Sequence, residues 1–106
     1  PEQGIAQLQL FEQQLQTFGM QRQQFQIQLA EVEQALKELE HVQEKPYKII
    51  GTLMVQTETA TLQQELRSRK ELLSLRIKSI EKQEQSLKEK ADTLQRTLLE
   101  QMKKGR

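Results

Sequence analysis

Two apolar series with coiled-coil spacing constrain this chain more than any other feature of its sequence. Each advances by alternating three- and four-residue steps, which places its members along one stripe, or seam, of an α-helix. The first seam is Leu8, Phe11, Leu15, Phe18, Arg22, Phe25, Leu29, Val32, Leu36 and Leu39. The second seam is Leu66, Lys70, Leu73, Ile77, Ile80, Glu84, Leu87, Ala91, Leu94 and Leu98. The spacing predicts two long helices that pack on each other.

Charged residues within the seams indicate how the helices align. If the seams run antiparallel with Leu39 opposite Leu66, then Arg22, the only charged member of the first seam, falls opposite Glu84. A shift by one heptad would set Arg22 against an apolar residue, and an unpaired charge in a seam is costly. We therefore predict an antiparallel helical hairpin with Arg22 and Glu84 as the register pair.

The composition suits solvated helices better than a globular core. Only 35% of the 106 residues are hydrophobic and 29% are charged, with 4 glycines and 2 prolines. We expect a single domain dominated by α-helix. The formal net charge is +1 with the signs interspersed, so no large electric field is available to hold nucleic acid or an anionic membrane.

Residues that carry catalysis or bind metals are scarce. Cysteine is absent, His41 is the only histidine, and the glycines are too far apart for a phosphate-binding loop. Carboxylates lie on solvated helices without a pocket to shift their pKa values. We expect no enzymatic activity, no metal and no cofactor.

The expected location is the cytoplasm. No apolar run approaches the roughly 20 residues needed to span a bilayer, and no secretory signal is visible. The sequence starts at Pro1 rather than at a methionine, and we expect a few native residues to be missing at its ends.

Local signals divide the chain into helix, hairpin and helix. The first helix should cover about residues 3–43, because Pro46 ends helical geometry. The second should cover about residues 58–103, with Thr61 and Gln64 at the spacing of a capping box and Gly105 beyond its end.

Between the helices the periodicity changes to two, over residues 47–57. Gly51-Thr52 fits a two-residue turn, so this segment predicts a β-hairpin. We assign Ile50 and Met54 to one face, opposite Ile49, Leu53 and Val55. Because a lone hairpin cannot bury two apolar faces, we expect it to pair with the hairpins of other subunits. The assembly residues would be Tyr47, Ile49, Ile50, Leu53, Met54 and Val55.

The run from Tyr47 to Val55, YKIIGTLMV, followed by LQQEL at the start of a long helix, resembles the β subunit of archaeal prefoldins. The resemblance extends over essentially the whole chain. It implies a hexamer of two α and four β subunits whose hairpins form a double β-barrel with projecting coiled coils. It also implies an ATP-independent chaperone that captures unfolded polypeptides at the coiled-coil tips and transfers them to a group II chaperonin.

The antiparallel register brings both chain ends to the tip of the helical hairpin, where several apolar residues lie outside the seam. Exposed apolar side chains, methionine among them, accept varied unfolded segments. The predicted client-binding residues are Ile5, Leu8, Leu10, Phe11, Leu98, Leu99 and Met102. Scattered surface hydrophobes at a fraying end are the competing interpretation.

Two other functions remain open on the sequence alone. One is a helical arm that binds structured RNA, which would show steeply salt-dependent binding. The other is a structural coiled-coil tether that docks one folded partner and does not suppress aggregation in general.

Overall fold

Two helices and two strands make up the protein in the computed structural model, which describes residues 2–105. Helix α1 spans Glu2–Leu39, strand β1 Tyr47–Ile50, strand β2 Leu53–Gln56 and helix α2 Thr59–Lys104. The element order and types agree with the sequence-based prediction.

Helix α1 ends at Leu39, four residues before the predicted boundary at residue 43. Its last turn tightens, because the Glu40 N–H donates to the Lys37 carbonyl and the His41 N–H to the Glu38 carbonyl, each at 3.2 Å. Such three-residue hydrogen bonds satisfy the last carbonyls of a helix and stop its propagation. Pro46 is therefore not the residue that ends α1.

Helix α2 begins at Thr59, one residue after the predicted start at about residue 58, but the predicted capping box is wrong. Glu58 precedes the first helical residue, and its carbonyl accepts the Leu62 N–H at 3.0 Å. Thr61 is thus the third helical residue rather than the cap. A capping box requires its first residue outside the helix.

The hairpin has the predicted two-residue turn. Ile50 pairs with Leu53 across Gly51 and Thr52. Gly51 has a φ of 60°, and it is the one described residue with positive φ. A positive φ at the first turn position alone is the pattern of a type II′ turn, which requires glycine there.

The described residues fall into two compact units, and each helix contributes a segment to both. We call residues 2–24 and 77–105 the terminal unit, and Phe25–Arg76 the hairpin unit. In the terminal unit Gly4 packs against Leu98, and Arg22 bonds to Glu84, so its helical segments run antiparallel as predicted.

The helical segments of the hairpin unit are antiparallel as well. The guanidinium of Arg76 lies over the Phe25 ring, 5.6 Å from its centroid. Leu36 shares a surface groove with Arg67. Sequence numbers thus rise along one segment as they fall along the other.

Burial follows the two seams closely. All ten members of the first seam are buried or half-buried, and so are nine of the ten members of the second. The exception is Lys70, which is exposed and whose ammonium group favours water. The most buried apolar residue is Leu73, at 4% exposure.

Candidate functional site

Six apolar side chains of the hairpin are exposed, and they are the six that the sequence predicts for assembly. Exposure reaches 75% for Ile49 and 69% for Met54. Tyr47, Ile50, Leu53 and Val55 are exposed too. Six of the eight strand residues are therefore exposed apolar residues, which marks an interaction surface rather than a core.

The two faces of the hairpin differ from the sequence-based assignment. In the observed register Ile49 pairs with Met54, and Ile50 pairs with Leu53. Cross-strand partners lie on the same face, so Ile49 and Met54 share one face, and Ile50 and Leu53 share the other with Val55. Grouping Ile50 with Met54 was wrong because the length of the turn, not the alternation along each strand, sets the pairing. Both faces remain apolar.

Both outer edges of the hairpin carry backbone groups that can pair with another strand. The Thr57 N–H donates to the Pro46 carbonyl at 3.0 Å. Because inward-bonded pairs alternate along an antiparallel ladder, the backbone groups of Tyr47 and Ile49 point outward from β1. By the same alternation, those of Met54 and Gln56 point outward from β2.

Two ion pairs connect the hairpin region to the start of α2. The Lys48 ammonium lies 2.9 Å and 3.1 Å from the carboxylate oxygens of Glu65. The Lys45 ammonium lies 2.8 Å from the Glu58 carboxylate. Lys48 projects from the face that carries Ile50 and Leu53, so its bond to Glu65 anchors that face to α2 within the hairpin unit.

Glu58 raises the pKa of Lys45 above its ordinary value of 10.5, first by its hydrogen bond and then by its charge. A raised lysine pKa means that the pair stabilises the fold in full at neutral pH. That contribution declines as the pH rises through the raised pKa.

The predicted client-binding residues separate into two groups in the terminal unit. Ile5, Leu10, Leu99 and Met102 are 49–58% exposed and free for contact with a partner. Leu8 and Phe11 are half-buried, and Leu98 is buried at 9% exposure. These three are seam residues.

Gly4 explains why Leu98 is so well covered. A Cβ at position 4 would lie only 2.5 Å from Leu98 Cδ2, so the leucine packs directly on the helix backbone. The sequence reasoning missed this contact, although Gly4 stands four residues before Leu8 and so continues the first seam. That spacing is the signal that could have revealed it.

Arg22 and Glu84 are in contact, as the predicted alignment requires. Arg22 Nε donates to Glu84 Oε1 at 2.7 Å, and Nη2 donates to Oε2 at 3.4 Å. Glu84 is buried at 7% exposure. The pKa of Arg22 is raised by the hydrogen bond to Glu84 and by its charge, with a smaller effect from Glu81. The arginine therefore stays charged, as a register device requires.

Neither helix of the described chain has a stretch long and apolar enough to cross a membrane. Among residues 2–105 no three histidine or acidic side chains come together as a metal site would require. The surfaces that stand out are the apolar hairpin and the exposed apolar residues of the terminal unit.

Antiparallel helices joined by an exposed β-hairpin define a class of coiled-coil assembly proteins. The family model described as prefoldin subunit matches residues 2–105. The chain belongs to the prefoldin subunit family, whose members are chaperone subunits, and the resemblance inferred from the sequence is confirmed.

The relatives that it resembles are archaeal β subunits. Over 58 residues the chain is 43% identical to prefoldin subunit beta of Sulfurisphaera tokodaii, an alignment that covers 55% of this chain and 46% of the relative. Over 49 residues it is 43% identical to that of Methanothrix thermoacetophila, covering 46% and 41%. These alignments span less than half of the curated relatives' length.

Solved structures extend the similarity to most of the chain. The prefoldin beta subunit from Thermococcus strain KS-1 matches with a TM-score of 0.85 and 35% identity, covering 91% of this chain and 86% of that one. The beta2 subunit from the same strain matches with a TM-score of 0.76 and 15% identity, covering 84% and 97%. The second likeness concerns the fold alone.

Proposed function

We propose that this protein is a β-type subunit of a cytoplasmic, ATP-independent chaperone that holds non-native polypeptides. Its hairpin would join those of further copies and of an α-type subunit in an α2β4 hexamer with a double β-barrel. The residues near its chain ends would contact the client. A group II chaperonin would then receive the client.

The observation that carries the assembly step is the exposure of the six apolar hairpin residues. A two-stranded hairpin is marginal by itself in water. Outward backbone groups on both edges allow strands to be added on each side, and a closed barrel removes unpaired edges altogether. In such a barrel, the apolar residues on both faces of the hairpin would be covered by residues of neighbouring subunits.

Client binding is supported by Ile5, Leu10, Leu99 and Met102, which are exposed in the terminal unit. One subunit offers few contacts and would bind weakly. Several subunits that engage one chain raise its effective concentration, and overall affinity then exceeds that of any single arm. No nucleotide is needed for such holding.

Assembly is tested by measuring the mass of the chain alone and after mixing with a candidate α-type subunit. We expect oligomers that are lost when Ile49→Ser and Met54→Ser are combined, while the helical content persists. Leu72→Ser with Leu75→Ser is the matched control, since these leucines are 49% and 59% exposed on α2. If the unaltered chain stays a monomer both alone and with the α-type subunit, the proposed assembly is contradicted.

A further inference from the structure

The two helical segments of the terminal unit have very different surfaces. Residues 2–24 of α1 contain three charged residues, Glu2, Glu12 and Arg22, and Arg22 is occupied by Glu84. Residues 77–105, all but the last of them in α2, contain twelve charged residues. The same α1 segment carries nine glutamines, all of them exposed.

Four of these nine glutamines lie in one row with Met20, on the side of α1 away from the seam. Gln9, Gln13, Gln16, Met20 and Gln23 follow one another by four- and three-residue steps, so they share one face of the helix. Met20 is 63% exposed within this row. Among the described residues, none of the row's four carboxamides has a protein hydrogen-bond partner. We call this row the carboxamide face.

We propose that the carboxamide face binds the backbone of an extended, uncharged segment of a non-native polypeptide. The inference rests on the proposed holding function and names a second contact region for the same client. Each glutamine side chain offers a carbonyl acceptor and two N–H donors, the same groups as a peptide bond. It can therefore bond to the backbone of an uncharged unfolded segment without reading particular client side chains.

The dimensions and charge of the face fit that occupant. From Gln9 to Gln23 the helix rises about 21 Å, which an extended chain of about six residues matches. The side chains of the row carry no charge, and its one charged neighbour on the helix, Glu12, lies beside Gln9 and Gln16. A charged client segment therefore gains no ion pair within the row itself, which favours uncharged segments, the kind that a folded client normally buries.

Other occupants fit the face poorly. A third helix would need an apolar seam, and Met20 is the single apolar residue of the row. Nucleic acid would need cations, and the row has none. An extended backbone, with unpaired donors and acceptors on both sides, uses what the glutamines offer.

The test replaces two amides by carboxylates. Gln16→Glu with Gln23→Glu alters the carboxamide face, and Gln83→Glu with Gln95→Glu makes the same change at exposed α2 positions of the terminal unit. The probe is a fluorescent 30-residue peptide of Gly, Ala, Ser and Leu, bound to the full assembly. We expect the α1 variant to bind about fivefold more weakly and the control to change little. Equal affinities for the two variants would overturn the proposal.

A second variant separates hydrogen bonding from apolar contact. Gln16→Met with Gln23→Met keeps the length of the side chains and removes their donors and acceptors. Weaker binding of the peptide supports recognition through amides, and unchanged or tighter binding overturns it. Ester bonds in place of alternate peptide bonds of the probe should weaken binding to the unaltered protein in the same way.

The proposed holding function has its own readout. Leu99→Ser with Met102→Ser removes the exposed apolar residues near the C-terminus of α2 and leaves the glutamines intact. If this variant loses peptide binding and the Gln16/Gln23 variants do not, holding survives and the carboxamide face is refuted. If neither set of changes affects binding, both proposals fail.

Discussion

Arg22 and Glu84 contribute specificity of alignment through a charge-assisted hydrogen bond inside an otherwise apolar seam. The short Nε–Oε1 distance of 2.7 Å and the second bond at 3.4 Å orient the guanidinium against the carboxylate. Removing one partner would leave the other without a counter-charge beside apolar side chains, which costs more than an exposed pair does.

A charge exchange tests this role. We expect Arg22→Glu to lower the unfolding temperature, because it sets two carboxylates against each other. Glu84→Arg should do so by opposing two guanidiniums. Combining both substitutions should restore much of the loss, as measured by thermal unfolding followed by circular dichroism.

The control for the charge exchange is the exposed pair Asp92–Arg96, whose atoms lie 2.9 Å apart within α2. Exchanging those two charges should change the unfolding temperature little, because water screens them. If the double variant at Arg22 and Glu84 is no more stable than either single variant, the pair does not set the register.

At the scale of the element, each helix is stabilised by its seam and not by its outer face. Leu73 is 4% exposed in the second seam, whereas Leu75, two residues later, is 59% exposed. Both leucines lie on α2 within the hairpin unit, and they differ chiefly in burial. Comparing their substitutions therefore isolates the effect of burial. The hydrophobic contribution of a side chain to the free energy of unfolding scales with the apolar area that folding removes from water.

Leu73→Ala should lower the free energy of unfolding by about 2–5 kcal/mol, the usual range for a buried leucine. Leu75→Ala removes the same atoms from a solvated position and should change it by less than about 0.5 kcal/mol. Urea unfolding of the two variants, followed by circular dichroism, measures both values. Similar losses would mean that the outer face of α2 is covered in solution.

The strands depend on different physics, since the hairpin buries little of its own surface. Its shape comes from the turn at Gly51, whose φ of 60° other residues rarely adopt, and from the bond between Lys48 and Glu65. Neither the turn nor this bond supplies an apolar core. The stability of the hairpin should therefore rise when strands of other subunits cover it.

At the scale of the whole molecule, the proposed chaperone separates assembly from client binding. A chain without the residues before Gln13 and after Thr97 should still form oligomers, because the hairpin is intact. It should no longer prevent an unfolded protein from aggregating. Light scattering of a chemically unfolded protein, diluted with and without the truncated assembly, measures this loss.

Point variants make the same comparison with less disturbance. Leu99→Ser with Met102→Ser should weaken aggregation suppression, whereas Leu72→Ser with Leu75→Ser, on the hairpin unit, should not. Full activity of the truncated chain would exclude client capture by the chain ends. Activity restricted to one folded partner would favour a structural tether.

The sequence alone determined the two seams, their antiparallel register and the presence of a hairpin. These follow from local periodicity, and Arg22, a charged residue within an apolar seam, has one acceptable partner in Glu84. Burial along nearly the whole of both seams could be predicted for that reason, as could the six exposed residues of the hairpin.

Only the tertiary structure decided the end of α1 at Leu39, the pairing of Ile49 with Met54, and the packing of Leu98 on Gly4. It also decided the bond between Lys48 and Glu65. Each depends on how distant backbone segments approach each other, and a one-residue change in turn or register reverses the face on which a side chain lies. Periodicity along a single segment does not contain that information.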